Sequence, residues 1–244
     1  MQISVVIPIQ IIHPVFGIYI RNLEYCLDAL SQVEHPGYPM DIVVSDLGSS
    51  SLYRSKIDGL CTKYACNHIY TQNQFEWNRS KALNAGIHAA KGERIFFVDA
   101  DCVVPKSYFM KHLQHAKRGN YITNLVYDLD ATSNPSSNYS QLIKQKWKNR
   151  GCGWSQLSVA REVFDNVAWF DESYKLWGAE EDDWILNIES AGIQRVILDI
   201  HPIHLYHPQY VDIMDFIGLG TVCRQQINAN QGKYYAKAKA IKHG

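Results

Sequence analysis

The chain lacks the features that would place it among membrane-spanning or nucleic-acid-binding proteins. No apolar stretch in its 244 residues reaches the roughly 20 residues needed to span a bilayer. Its 24 basic and 24 acidic residues give a formal net charge of zero, which argues against broad attraction to nucleic acid or to an anionic membrane. Any chemistry on a charged substrate must therefore come from a local site.

Paired cysteines, a secretion signal and a dinucleotide-binding loop are also missing. The six cysteines are scattered without a C-x-x-C pair, and the N-terminal segment has neither a basic stretch nor a small-residue cleavage site. We therefore expect reduced core thiols in a cytoplasmic protein, located in the cytoplasm or at the inner face of the membrane. The turn after the first strand has no G-x-G-x-x-G, which counts against a nicotinamide-dependent oxidoreductase.

Strand and helix patterns alternate through the first half of the chain. The continuous apolar run Ile3–Ile9 is typical of a strand that is covered on both faces. The pattern predicts strands at Asp41–Ser45, His68–Thr71 and Arg94–Val98, and helices at Leu52–Ala65 and Arg79–Lys91. This alternation indicates an α/β fold with a doubly wound, mostly parallel sheet and helices on both faces. In such sheets ligands bind beyond the carboxyl ends of the strands.

The second half of the chain has a less regular pattern. It predicts strands at Tyr121–Tyr127, Trp154–Ala160 and Arg195–Ile200, a polar loop at Asp128–Asn138 and a helix at Glu180–Ala191. The lysine-rich segment Lys233–Lys242 is expected to be a solvated tail. With no internal repeat and no clear linker, we expect one domain.

The first acidic cluster is the pair Asp99 and Asp101, which follows the apolar run of the predicted strand Arg94–Val98. A D-x-D pair at the end of a strand can hold a divalent cation, which in turn neutralises a diphosphate. A solvated turn is the simpler explanation, but the position at the strand end favours a metal and nucleotide-sugar site.

The second acidic cluster is the run Glu180–Asp183, which lies between Trp177 and Trp184 at the start of a predicted helix. Carboxylates at a helix N-terminus stabilise the helix dipole, but that explains one or two acids rather than four. We expect one of them to take the proton of an attacking hydroxyl and another to bind the acceptor.

Three histidines, His201, His204 and His207, follow the last predicted strand. Neutral imidazole binds divalent metals, and imidazole beside carboxylates favours Mn²⁺ over Mg²⁺. His204 and His207 are metal candidates, whereas His201 is expected to be structural. A zinc site is an alternative, although no cysteine partner lies close by in the sequence.

The order of several motifs resembles that of known glycosyltransferases. The segments Phe75–Gly86 and Asp99–Asp101 resemble the F-N-R-A-K-L-L-N-x-G and D-V-D motifs of β-1,4-galactosyltransferases. Gly153–Ser158 and Trp177–Asp183 resemble their G-V-S-A-L-S and W-G-G-E-D-D-D motifs. The opening Ser4–Pro8 and the segment 41–49 are similar to family 2 glycosyltransferases.

The resemblance implies a GT-A fold, a UDP-sugar donor and a divalent metal, Mn²⁺ or Mg²⁺. It implies that the donor is bound by Pro8, Asp46, Arg79, Asp99 and Asp101, the metal by Asp101, His204 and His207, and the acceptor by Trp177 and Glu180. The resemblance implies that the general base is Glu181 or its neighbour Asp182, because Glu181 is one methylene longer than the aspartate usual in the family. Leu47 and Leu83 stand where related chains often have Asp and Arg, which leaves open how the nucleobase of the donor is contacted and which donor is used.

The resemblance also implies which part of the chain binds the donor and which part binds the acceptor. Residues 1–120 form the nucleotide-sugar-binding half of a single GT-A domain, 121–210 the acceptor-binding and catalytic half, and 211–244 a C-terminal helical, basic tail. The implied reaction is inverting transfer of a hexose, galactose or N-acetylgalactosamine, to a saccharide or lipid-linked saccharide acceptor in surface polysaccharide synthesis. Peripheral membrane association is compatible with that acceptor. A non-catalytic sugar- or nucleotide-binding module of the same fold is the alternative.

Overall fold

A computed structural model describes residues 1–35, 37–73 and 76–243 of the chain. Pro36 and Phe75, the latter the first residue of the Phe75–Gly86 motif, lie outside the described residues, as do the side chains of residues 153–155 in the Gly153–Ser158 motif and of residues 242 and 243. The strands are β1 Ile3–Ile9, β2 Met40–Leu47, β3 Asn67–Thr71, β4 Arg94–Phe97, β5 Cys102–Val103, β6 Asn120–Leu129, β7 Trp147–Ala160, β8 Gln194–Leu198 and β9 Ile203–His204. The α-helices are α1 Ile18–Ser31, α2 Ser51–Lys63, α3 Arg79–Ala89, α4 Tyr108–His115, α5 Tyr139–Leu142, α6 Glu162–Asn166, α7 Glu180–Ser190, α8 Tyr210–Phe216 and α9 Gly220–His243.

The described strands form one sheet with the order β3-β2-β1-β4-β7-β6-β9-β5, and β8 pairs with β6. β1 pairs in parallel with both β2 and β4, and β2 pairs in parallel with β3. β7 runs antiparallel to both β4 and β6. The mixed α/β architecture with a mostly parallel sheet confirms the predicted fold class.

Helices cover both faces of the sheet, and β1 shows why. Alternate side chains of a strand point to opposite faces. Val5 packs in the same cluster as Leu23 of α1, whereas Val6 packs in the same cluster as Leu83 of α3 and Trp184 of α7. Every residue of β1 is buried, as its unbroken apolar run predicts.

Helix α3 approaches β1 closely enough to require a glycine. A Cβ atom added at Gly86 would come within 2.4 Å of the Cγ1 atom of Val6. The helix begins where predicted, because the Asn78 side chain accepts a hydrogen bond from the Lys81 N–H. This packing brings the first residue of α3, Arg79, to the carboxyl end of the sheet.

The predicted polar loop at Asp128–Asn138 is wrong at its start. β6 continues to Leu129 because it pairs with the long strand β7, which begins at Trp147 rather than at Trp154. Asp128 therefore lies in a strand, opposite Lys148. The hairpin of β6 and β7 gives this carboxylate a fixed place beside the site.

The lysine-rich segment is a packed helix rather than a solvated tail. In α9, Asn230 is buried and its side-chain amide donates hydrogen bonds to the carbonyls of Lys175 and Trp177. Lys237 pairs with Asp183 of α7 at 2.8 Å. Within the described part of the chain, no helix has the length and apolar content needed to cross a membrane.

Candidate active site

A cavity of about 580 Å³ opens at the carboxyl ends of β1 and β4. Segments that are far apart in sequence contribute to its walls: the end of β1, the start of α3, the turn after β4, the start of α7 and the segment from β9 to α8. The predicted site residues that line it are Pro8, Arg79, Asp99, Asp101, Trp177, Glu180, Glu181, His204 and His207. Two predicted site residues, Asp46 and Asp182, do not line it.

A short pair of strands holds the histidine segment against the D-x-D turn. Cys102 of β5 pairs with His204 of β9 in antiparallel register. The backbone N–H of Leu205 donates a hydrogen bond of 2.8 Å to the carbonyl of Asp101. Main-chain pairing of this kind fixes distance more firmly than side-chain contacts do, so it explains how residues about a hundred positions apart converge.

Asp101, His204 and His207 form a cluster whose ligand atoms lie within 4.8 Å of one another. The Asp101 carboxylate is 3.2 Å from Nε2 of His207 and 3.5 Å from Nε2 of His204. Its Oδ1 atom is buried and has no hydrogen-bond partner among the described residues. The Nδ1 atom of His207 lies 2.7 Å from the carbonyl of Pro208, which favours the tautomer that leaves Nε2 free.

This donor set fits a divalent cation. One carboxylate oxygen and two imidazole nitrogens converge, and the buried Oδ1 atom of Asp101 is left for a ligand bond. Burial raises the pKa of Asp101, but His204 and His207 outweigh it and hold that pKa well below its usual range. Burial lowers the pKa of His204, and Asp101 reverses this and raises it to about 9, so a cation that binds here must displace a proton from that imidazole. Cys102 lies beside the cluster: its thiol and the carboxylates of Asp99 and Asp101 also have ligand atoms within 4.8 Å of one another, and burial raises the pKa of that thiol well above the ordinary value.

Asp128 and Arg150 contact the cluster from outside, and the sequence did not indicate either. Oδ1 of Asp128 is 3.2 Å from Nδ1 of His204 and 2.6 Å from a guanidinium nitrogen of Arg150. A carboxylate on the far nitrogen of a metal-binding histidine orients the ring. Asp128 was missed because its local sequence predicts a loop; only the β6–β7 pairing places it here.

Arg79 joins the two acidic clusters. Its Nη1 atom is 2.7 Å from Asp99 and its Nε–H donates a hydrogen bond of 2.8 Å to Glu181. The third nitrogen, Nη2, is buried with no hydrogen-bond partner among the described residues. Burial lowers the pKa of Arg79, and the carboxylates of Asp99, Glu181 and Glu180 more than compensate, so the net shift is upward. The side chain is a fixed cation with one free donor in the cavity.

The four acids at the start of α7 have different surroundings. Glu180 and Glu181 line the cavity, and burial raises the pKa of Glu181 to about 7 against the opposing effect of Arg79. Asp182 is half-buried outside the cavity, and burial raises its pKa. Asp183 is buried and pairs with Lys237 and the hydroxyl of Tyr174. Of the two base candidates, only Glu181 faces the cavity, and its pKa suits proton transfer near neutral pH.

Asp46 lies beneath the surface rather than in the cavity wall. Its carboxylate is fully buried, where it accepts a hydrogen bond of 2.9 Å from the Ser49 N–H and lies 3.4 Å from Nε2 of His68. The hydrogen bond to Asp46 raises the pKa of His68. To contact the nucleobase of a UDP-sugar directly, the Asp46 side chain would have to leave Ser49 and His68. His201, predicted to be structural, stacks on Tyr127 outside the cavity.

Aromatic side chains that the sequence did not single out also line the cavity. Phe16 stacks on Tyr210 with ring centroids 6.2 Å apart, and the Tyr19 hydroxyl lies 3.1 Å from Nδ1 of His207. Trp77 lies inside the Phe75–Gly86 motif but was not assigned a role. No sequence pattern pointed to Phe16, Tyr19 or Tyr210. Phe16 precedes α1, Tyr19 lies in α1 and Tyr210 begins α8, so only the fold brings these three rings together.

Comparison with solved structures shows the same fold in glycosyltransferases. GalNAc-T7 with UDP, GalNAc and Mn²⁺ aligns with a TM-score of 0.64 at 16% identity, over 86% of this chain and 44% of that one. A mannosyltransferase from Pyrobaculum calidifontis with GDP-Man and Mn²⁺ aligns with a TM-score of 0.63 at 15% identity, over 98% and 64% of the two chains. Residues 1–349 of S. aureus TarS with UDP-GlcNAc align with a TM-score of 0.61 at 14% identity, over 97% and 73%.

The chain thus spans less than half the length of GalNAc-T7. No curated protein matches it. The model of the family described as "Glycosyl transferase family 2" matches residues 11–163, which is well over half of the 244 residues. The match begins after β1 and covers β2 to β7 with the D-x-D turn, and this protein therefore belongs to glycosyltransferase family 2.

Proposed function

We propose that the protein is a metal-dependent, inverting hexosyltransferase that uses a UDP-sugar donor. The observation that carries the proposal is the shared cavity. The D-x-D turn, the two histidines, Arg79 and Glu181 come from separate segments of the chain and all line it. A sugar- or nucleotide-binding module has no need of both a metal-type cluster and a carboxylate whose pKa is raised to about 7.

Glu181 acts as the general base in this proposal. Its carboxylate takes the proton of the acceptor hydroxyl as that oxygen attacks the anomeric carbon and the bond to UDP breaks. Direct displacement by the acceptor inverts the configuration at that carbon. Glu180, which is buried beside Glu181, accepts a hydrogen bond from the acceptor and keeps it in place.

Arg79 and the Asp101 cluster bind the diphosphate end of the donor. The free Nη2 of Arg79 donates to a phosphate oxygen. Asp101, His204 and His207 would hold the divalent cation, with Mn²⁺ favoured over Mg²⁺ by the two imidazoles. The bound cation would supply neutralisation of the negative charge on the leaving diphosphate.

Galactose or N-acetylgalactosamine is the proposed sugar, and its support is the β-1,4-galactosyltransferase-like motif order. The structural neighbour GalNAc-T7, crystallised with UDP, GalNAc and Mn²⁺, is compatible with it. The proposed acceptor is a saccharide or lipid-linked saccharide of a surface polysaccharide. Its support is the aromatic wall of the cavity, in which Trp177 is 52% exposed and free to pack against a sugar ring.

The test is release of UDP from a panel of UDP-hexoses with purified protein and Mn²⁺, with and without EDTA. We expect turnover with at least one UDP-hexose, loss of turnover in EDTA, and losses of roughly 10²–10⁴-fold in Glu181→Gln. Asp182→Asn is the matched control, because this neighbouring carboxylate lies outside the cavity and its variant should retain most of the activity.

Two results would contradict the proposal. UDP binding without turnover on any donor would support the non-catalytic module instead. Full activity in Glu181→Gln together with a large loss in Asp182→Asn would move the base to Asp182, against its position outside the cavity.

A further inference from the structure

Arg79 has more partners than its donors can serve at once. A guanidinium binds a phosphate through two N–H groups on one edge, either Nε with Nη2 or Nη1 with Nη2. Here Nε is bonded to Glu181 at 2.8 Å, Nη1 to Asp99 at 2.7 Å, and only Nη2 is without a hydrogen-bond partner in the described chain. Two-pronged binding of a phosphate therefore requires Arg79 to give up one of its two carboxylates.

Glu181 is the partner that is better able to leave. Its charged form is already disfavoured by burial, and its side chain has one more rotatable bond than that of Asp99. Asp99 is held in the tight turn after β4, where the Cys102 N–H bonds to the Asp99 carbonyl at 3.1 Å. The edge formed by Nε and Nη2 is thus the one that opens to a phosphate.

We propose that Glu181 and the diphosphate of the donor compete for Arg79, so that donor binding frees the general base. The inference rests on the proposed function. Before the donor enters, one oxygen of the Glu181 carboxylate is occupied by the Arg79 Nε–H, and the cation keeps the proton affinity of Glu181 lower than burial alone would. After the diphosphate takes over the Nε–Nη2 edge, Glu181 loses its cation and gains a nearby negative charge, and both changes strengthen it as a base.

The coupling has a sign that can be measured. When Glu181 loses its ion pair with Arg79, its affinity for a proton rises. UDP binding near pH 7 should therefore be accompanied by proton uptake. The charged and titratable groups around the cavity besides this pair are Tyr19, Asp99, Asp101, Asp128, Arg150, Glu180, His204, His207 and Tyr210. Because they are unchanged in a Glu181 variant, the difference between wild type and variant isolates Glu181.

The experiment is calorimetric titration of UDP into metal-loaded protein, in buffers of different ionisation enthalpy. For the wild type at pH 7 we expect uptake of roughly 0.3–0.5 proton more than for Glu181→Gln. Because the neutral amide no longer competes for Arg79, Glu181→Gln should also bind UDP roughly three- to tenfold more tightly than the wild type. Asp182→Asn is the matched control: this neighbouring carboxylate lies outside the cavity, so the variant should leave both the proton count and the affinity near the wild-type values.

The outcomes separate this inference from the proposed function. Equal proton counts in wild type and Glu181→Gln, or weaker UDP binding in that variant, would overturn the competition while leaving the transferase proposal intact. Tighter binding in Asp99→Asn but not in Glu181→Gln would show that the other edge of Arg79 opens, and would also overturn it. Thermal unfolding of each variant checks that the fold is kept. No binding of UDP by any variant or the wild type would contradict the proposed function itself.

Discussion

The contact between Lys237 of α9 and Asp183 of α7 allows a quantitative test of how the C-terminal helix supports the site. Asp183 is 1% exposed, and its two carboxylate oxygens lie 2.8 and 2.9 Å from Nζ of Lys237. The hydroxyl of Tyr174 donates to the same carboxylate at 3.0 Å. Replacing Lys237 by Met would remove the cation and leave a buried carboxylate without its counter-ion.

The expected loss follows from the exposure of the two partners. Breaking a fully buried ion pair from one side costs about 3–5 kcal/mol. The Lys237 side chain is 35% exposed, so water and the Tyr174 hydroxyl can take over part of its role. We therefore expect a decrease of about 2 kcal/mol in the free energy of unfolding. For a chain of this size, that corresponds to a fall in Tm of roughly 4–8 °C.

The assay is thermal unfolding followed by circular dichroism at pH 7. Lys239→Met is the matched control, because Lys239 is exposed on the same helix and forms no ion pair with a described residue. Removing both partners, with Lys237→Met and Asp183→Asn together, should cost less than the sum of the single changes. Equal Tm values for Lys237→Met and Lys239→Met would refute the reasoning and indicate that α9 does not stabilise α7.

Further predictions concern the site and the core beneath it. With Mn²⁺ kept saturating, kcat/KM should fall about tenfold per pH unit below pH 7, because Glu181 becomes protonated. If kcat/KM began to fall only near pH 4.5, the ordinary range of glutamate, the raised pKa of about 7 would be contradicted. Asp101→Asn should weaken Mn²⁺ binding, measured by electron paramagnetic resonance, by at least 10²-fold, and Asp128→Asn by roughly 10–100-fold through the orientation of His204. Trp184→Ala should cost about 3–5 kcal/mol in denaturant unfolding, because Trp184 is fully buried among phenylalanines; a loss below about 1 kcal/mol would contradict that packing.

The sequence was most informative where local patterns are self-sufficient. The apolar run of β1 requires burial on both faces, and Asn78 starts α3 through a cap that needs only neighbouring residues. Because the strands are parallel, the D-x-D turn had to lie at the edge where ligands bind. These features predicted the fold class and the acidic candidates at the strand ends, whereas Arg79 and the role of Trp177 came from the resemblance to known glycosyltransferases.

The chemistry of the acidic run could not be read locally. Four successive carboxylates at a helix start look alike in the sequence, yet their surroundings differ because a helix turns by about 100° per residue. Glu180 and Glu181 face the cavity, whereas Asp183 faces α9 and serves the fold. Which of these acids faces the cavity and which supports the fold depends on where α9 packs. The weak apolar periodicity of the α9 segment did not predict that packing position.

The amino-acid sequence by itself determined the alternation of strands and helices, the edge of the sheet that carries the site and the kinds of side chain available there. Only the tertiary structure decided that Asp128 reaches His204, that Asp46 is buried away from the cavity, and that Arg79 joins Asp99 to Glu181. The physical reason is one of range. Backbone propensity and apolar periodicity act over a few residues, whereas charge pairing and pKa depend on distances set by strands and helices far apart in the chain.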